Sequence, residues 1–174
     1  SQALQQPFFT EMRTNQQLGY IVWSYARNRD ETHYLTFVIQ SGAFTADDVN
    51  QRADDFIATT PEFLSSMDGE TFQQLKDSAI EQLEKKPMSV GERANKLKAF
   101  IFEYDADFLR DEKTIVALKA LEQVSAVDLL SKTVGTDSRR MANFLMFAEQ
   151  HKNATGMKSS FKDVNRWKAS RSYK

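Results

Sequence analysis

The feature that most narrows the fold is a change of period near residue 45. Before it, residues 19–26 (GYIVWSYA) and 34–40 (YLTFVIQ) are rich in aromatic and β-branched side chains, as strands are. The polar stretch 27–32 (RNRDET) between them is turn-like, so the two runs read as an antiparallel hairpin. In the second run Leu35, Phe37 and Ile39 share one face, and Tyr34, Thr36, Val38 and Gln40 the other. One face is therefore core, and the other is free to be half exposed.

From Thr45 onward apolar residues recur at helical spacing. Thr45 and Asp48 form a capping-box-like start, followed by Val49, Ala53, Phe56 and Ile57. Phe63, Leu64 and Met67 extend this material beyond Pro61. Phe72, Leu75, Ala79, Ile80 and Leu83 mark a second helix that stops near Pro87. Ser89 and Glu92 cap a third, which carries Ala94, Leu97, Phe100 and Ile101. Asp111 opens a fourth with Ile115, Leu118 and Leu121. Ser125 and Asp128 are expected to cap a short fifth that Gly135 ends, and 139–148 (RRMANFLMFA) returns to a strand-like run. No 20–50-residue repeat, the mark of a solenoid, interrupts this order. The expected fold class is α+β: an antiparallel sheet covered on one face by helices.

The 174 residues suit one ordinary domain, expected over 1–150, with 151–174 as a basic tail or terminal helix. In that tail Lys158, Lys162, Arg166, Lys168, Arg171 and Lys174 face Asp163. Residues 1–13 read as the end of a helix or an extended approach to one, and the abrupt opening looks like a chain cut within a domain. Net charge is −1, which argues against nucleic acid as a partner. No apolar run approaches the roughly 20 residues that span a bilayer, so no membrane partner is expected. Residues 45–86 hold ten acids and four bases, read as solvated helix faces. With no cysteine, thiolate zinc sites and cysteine nucleophiles are excluded. The two histidines, His33 and His151, lie far apart in the sequence, and His33 reads as an exposed edge residue.

The most distinctive stretch is Arg13-x-x-x-Gln17-Leu18-Gly19-Tyr20, which runs straight into the first strand. On residue type alone, Arg13 reads as a surface ion-pair residue and Tyr20 as an ordinary strand aromatic. Followed by an aromatic strand, a polar hairpin and the FVIQS strand, the stretch resembles the pitrilysin/insulysin (insulinase) zinc metallopeptidases. It is most similar to the last of their four homologous domains. The likeness covers about residues 3–150, including the helix over 72–86 and the KPMS turn after it.

The resemblance implies a fragment of the zinc-free C-terminal domain of a zinc metalloendopeptidase, one wall of a clam-like chamber. The family's zinc site is an H-x-x-E-H helix carried by the first domain, and no such motif occurs here. The implied expectation is no metal or other cofactor in this fragment, zinc in the full-length enzyme, and no proteolysis by this piece alone. The implied partners are a peptide substrate and the other domains of the same polypeptide. Carried over residue by residue, Arg13 and Tyr20 would bind the substrate backbone and support the oxyanion of the transition state across the chamber. Gln17 and Leu18 are read as structural, and Gly19 as the point where backbones approach closely. Trp23 and Tyr25 alternate with Val22 and Ser24; core packing is the expectation for them, and lining of the chamber by one of the two sets the alternative. An inactive scaffold of the same fold, akin to processing-peptidase core proteins, is the alternative, and a free-standing binding module a third. The compartment stays open, leaning to the bacterial periplasm.

Overall fold

Leu4, Phe8 and Met12 are spaced one helical turn apart, and all three are buried on one side of the opening helix. In the computed structural model, residues 2–29, 32–135 and 138–151 are described. Helix α1 (Gln2–Phe9) runs directly into a π-helical turn, Thr10–Asn15. Strands β1 (Ile21–Arg29) and β2 (Thr32–Gln40) follow as an antiparallel pair. Five further helices complete the described part: α2 (Ala46–Ser66), α3 (Gly69–Glu84), α4 (Val90–Glu103), α5 (Arg110–Ala120) and α6 (Gln123–Val134). The class is α+β, as the change of period implied.

The register sets which face is covered. Val22 stands opposite Ile39 and Ser24 opposite Phe37, so these four share a face. Phe8, Met12, Leu18 and Val22 form the buried core there, and Phe37, Ile39, Phe44 and Phe56 pack against it. Phe8 meets Phe37 at 4.9 Å and Phe56 of α2 at 5.3 Å between centroids, both edge to face. On the other face Trp23 pairs with Val38, and Trp23 is 59% exposed. Core packing therefore does not hold for Trp23. It lines an open groove with Tyr25, Gln2, Gln5 and Phe9.

Helix ends in the outer layer are closed by side chains from neighbouring helices. Gln123, the first residue of α6, donates through Nε2 to the carbonyls of Leu64 and Met67 at 2.9 and 2.8 Å, satisfying orphan acceptors at the end of α2. Lys76 of α3 reaches the Leu121 carbonyl at 2.9 Å, closing the end of α5 in the same way. Helix α2 passes through Pro61 without a break. A proline there leaves the Ile57 carbonyl, four residues back, without its backbone donor. The buried Thr60 hydroxyl donates to that carbonyl at 2.8 Å.

Two further expectations fail. Residues 139–148 form no strand. Their alternation is real, since Phe144 and Met146 are both 90% exposed, but alternation does not supply a ladder partner, and β1 and β2 pair only with each other among the described residues. Ser125 does not cap α6. The N-cap is Glu122, three residues earlier, and it makes no side-chain cap bond. The anchoring of Gln123 on α2 fixes the start that a local motif did not. The basic tail from residue 152 onward lies outside the described residues.

Thr45 does cap α2, its side chain accepting from the Asp48 amide at 3.3 Å. Thr45→Ala is expected to lower stability by about 1 kcal/mol. Thermal unfolding checks this, with Thr45→Ser close to wild type.

Candidate functional site

The R-x-x-x-Q-L-G-Y stretch occupies the junction between α1 and β1. The π-helical turn ends with the Gln16 amide donating to the Glu11 carbonyl at 2.9 Å. Gln17 then takes φ of 52°, in the left-handed region that side chains other than glycine rarely enter. That reversal lets the Leu18 amide reach the Met12 carbonyl at 2.9 Å and sends the Leu18 side chain into the core. Gln17 and Leu18 thus shape the junction, as expected of structural residues.

Gly19 follows, and its place is dictated by crowding. A Cβ there would lie 1.9 Å from the Gln40 carbonyl oxygen and 2.8 Å from the Gln40 carbonyl carbon. Only a residue without a side chain lets the entry to β1 lie this close to the end of β2.

Beyond that contact Tyr20 stands 80% exposed. Arg13 reaches it from the π-helical turn: its guanidinium carbon lies 4.6 Å from the Tyr20 ring centroid and 5.1 Å from the Phe9 centroid. A guanidinium against two aromatic faces is held by cation–π attraction, worth about 0.5–1 kcal/mol per contact at an exposed site. The structure therefore brings the two predicted residues together on one exposed surface.

Other residues hold the junction in place. Glu11 accepts from Gln16 Nε2 at 2.9 Å and from Asn15 Nδ2 at 2.7 Å. These bonds, Gln16 first and Asn15 second, hold the Glu11 carboxyl below the usual glutamate range against a smaller opposing effect of burial. Arg52 of α2 donates through Nη1 to Gln16 Oε1 at 3.1 Å and pairs through Nε with Asp48 at 3.0 Å. Glu11, Gln16 and Arg52 were not singled out from the sequence. Glu11 and Asn15, and Asp48 and Arg52, are each four apart on a helix, a spacing that signals pairing. Nothing in the sequence signals the step from Gln16 to Arg52, 36 positions on.

A depressed carboxyl pKa gives a definite sign. Its contribution to stability is complete above the unfolded-state glutamate value and is lost as the pH falls through the lowered folded value. Acidification through that window is expected to loosen residues 15–18, and Glu11→Gln is expected to abolish this acid-dependent step. Amide exchange at Gln16 and Leu18, followed as the pH is lowered, checks both.

Among the described residues the arrangement does not suit zinc. His33 is exposed on β2, and His151 sits in the short 3-10 turn Glu149–His151. Among the described residues no three of the histidine and acidic side chains converge on a metal position. No described helix is long and apolar enough to cross a membrane.

A helix entering a strand through this motif, with the hairpin backed by helices on one face, defines the class: a domain of the insulinase-type zinc metallopeptidases. Residues 1–98 match the family described as PQQ synthase PqqF-like, C-terminal lobe domain 4, and the chain belongs to that family. It is similar to insulin-degrading enzyme of Drosophila melanogaster, 27% identical over 159 residues, covering 89% of this chain and 16% of the relative. Human insulin-degrading enzyme is 29% identical over 140 residues, covering 80% and 14%. Protease 3 of Escherichia coli K12 is 26% identical over 133 residues, covering 76% and 14%. The crystal structure of pitrilysin superposes with a TM-score of 0.66 at 25% identity, covering 75% of this chain and 14% of that one. The chain thus spans only about one seventh of the length of such relatives.

Proposed function

We propose that this chain works as the non-zinc C-terminal domain of a zinc metalloendopeptidase. In that role it binds peptide substrate and supports the transition state of a catalytic centre held elsewhere in the polypeptide. The observation that carries the reading is the exposed Tyr20 ring with the Arg13 guanidinium 4.6 Å from its centroid, at the one junction the family motif marks. Peptide hydrolysis builds negative charge on the scissile carbonyl oxygen. A phenol O–H aimed at that oxygen stabilises the charge as it forms. A guanidinium offers several N–H donors in one plane and suits carbonyls of an extended backbone. Neither group needs to titrate for this work. The other domains of the same polypeptide, and zinc held by them, are the partners the reading requires.

The test is made in the full-length polypeptide. Tyr20→Phe and Arg13→Ala each lower peptide hydrolysis by about tenfold or more, while zinc content measured by elemental analysis stays at the wild-type level. Activity within about twofold of wild type for both variants, at the same zinc content, removes the catalytic role.

A further inference from the structure

We propose that Arg52 is a positioning residue that locks the turn presenting Arg13 and Tyr20; its catalytic consequence rests on the function proposed above. Three constraints fix its planar group. Nε pairs with Asp48 at 3.0 Å, Nη1 donates to Gln16 Oε1 at 3.1 Å, and the guanidinium carbon lies 4.9 Å from the Phe44 ring centroid. Asp48 is one helical turn back on α2, and Phe44 precedes that helix, so the group is set by α2 before it meets the turn. Gln16 in turn donates to Glu11, which also accepts from Asn15. The result is a chain of polar contacts from α2 through the amide of Gln16 to the carboxylate of the π-helical turn.

The turn needs such a tie. Its two backbone bonds, Gln16 to Glu11 and Leu18 to Met12, both run back to its own helix. Gln17 adds a left-handed backbone that opposes the geometry. Arg52 fastens the turn to a separate helix, so the entry to β1 is fixed against the helical layer. A lysine cannot replace it, because one ammonium cannot keep the two-donor planar arrangement while lying on Phe44.

The test combines amide exchange with kinetics in the full-length polypeptide. Arg52→Gln is expected to speed exchange of the Gln16 and Leu18 amides by about tenfold or more, with exchange of the β1–β2 ladder unchanged. In the same variant kcat falls by about tenfold and KM rises, at unchanged zinc content, because presentation of both Tyr20 and the peptide-binding Arg13 is lost. Gln16→Ala removes the acceptor, and also the bond to Glu11, while keeping Asp48 and Phe44 in contact with Arg52, so its exchange is read against Glu11→Ala, which leaves the bond from Arg52 to Gln16 in place. Gln16→Ala reproduces the exchange effect, and it serves as the test if Arg52→Gln does not fold. Arg52→Lys behaves like Arg52→Gln. Unchanged exchange in Arg52→Gln and Gln16→Ala overturns the proposal, and so does full rescue of exchange and kcat by lysine. Faster exchange with wild-type kcat overturns the positioning role when Tyr20→Phe is impaired. If Tyr20→Phe and Arg13→Ala are also fully active, faster exchange upholds the lock, and the functional reading of those two residues is what fails.

Discussion

Gly19→Ala disrupts the junction between the opening helix and the hairpin. The added carbon would lie 1.9 Å from a backbone oxygen, that of Gln40, and 3.2 Å from the Ser41 Cα. No rotamer change relieves a clash with backbone, so either the end of β2 or the entry to β1 must move. Buried on the same side are Leu18 and Val22, whose packing against Phe8 and Met12 makes the core of this face. Overpacking of this kind costs about 3 kcal/mol, which for a chain of this size lowers Tm by about 6–12 °C. Gly42 and Gly69 provide the contrast, since a Cβ at either meets nothing within 4 Å. Gly42→Ala is expected within about 0.5 kcal/mol of wild type. In a full-length polypeptide, Gly19→Ala should also reduce peptide hydrolysis, because Tyr20 is the next residue and must move with the displaced strand. Equal melting temperatures for Gly19→Ala and Gly42→Ala would overturn the crowding argument.

The hairpin, the division of its side chains between two faces and the run of helices were legible because each rests on local periodicity. Phe37 and Ile39 fall on the core side for the same reason that they alternate with Thr36 and Val38. What the sequence does not show is set by partners far along the chain. Residues 139–148 carry a strand's alternation, but a ladder is a pairing between segments, and no described strand takes them up. The start of α6 is fixed by Gln123 reaching the end of α2, not by a box within its own first turn. Trp23 looks like a core aromatic by type, yet the register places it on the uncovered face. In the candidate site, the choice of Arg13 and Tyr20 rests on a family motif alone, since neither residue type is informative by itself. Their contact needs the reversal at Gln17, and no propensity scale favours glutamine at positive φ. Arg52 escaped notice for the same reason as Gln123: its decisive bond spans 36 positions.

Under the proposed function, the contact between Arg13 and Tyr20 is expected to make their effects on catalysis interdependent, and a double-mutant cycle measures this. Tyr20→Phe keeps the ring on which the guanidinium rests and removes only the O–H. A loss on the order of 10²–10³ in rate is expected for such a donor. Arg13→Ala removes the clamp on the peptide and also frees the Tyr20 ring from its neighbour, 4.6 Å away. Part of its cost is therefore misplacement of the phenol. In the Tyr20→Phe background there is no phenol left to misplace, so Arg13→Ala costs less there than in wild type. The double variant is expected to retain several-fold more activity than the product of the two single losses predicts. Four values of kcat/KM at equal zinc content in the full-length polypeptide decide it. Strict multiplication of the two losses would mean that the residues act on the substrate independently, and that their stacking in the free domain has no part in the transition state.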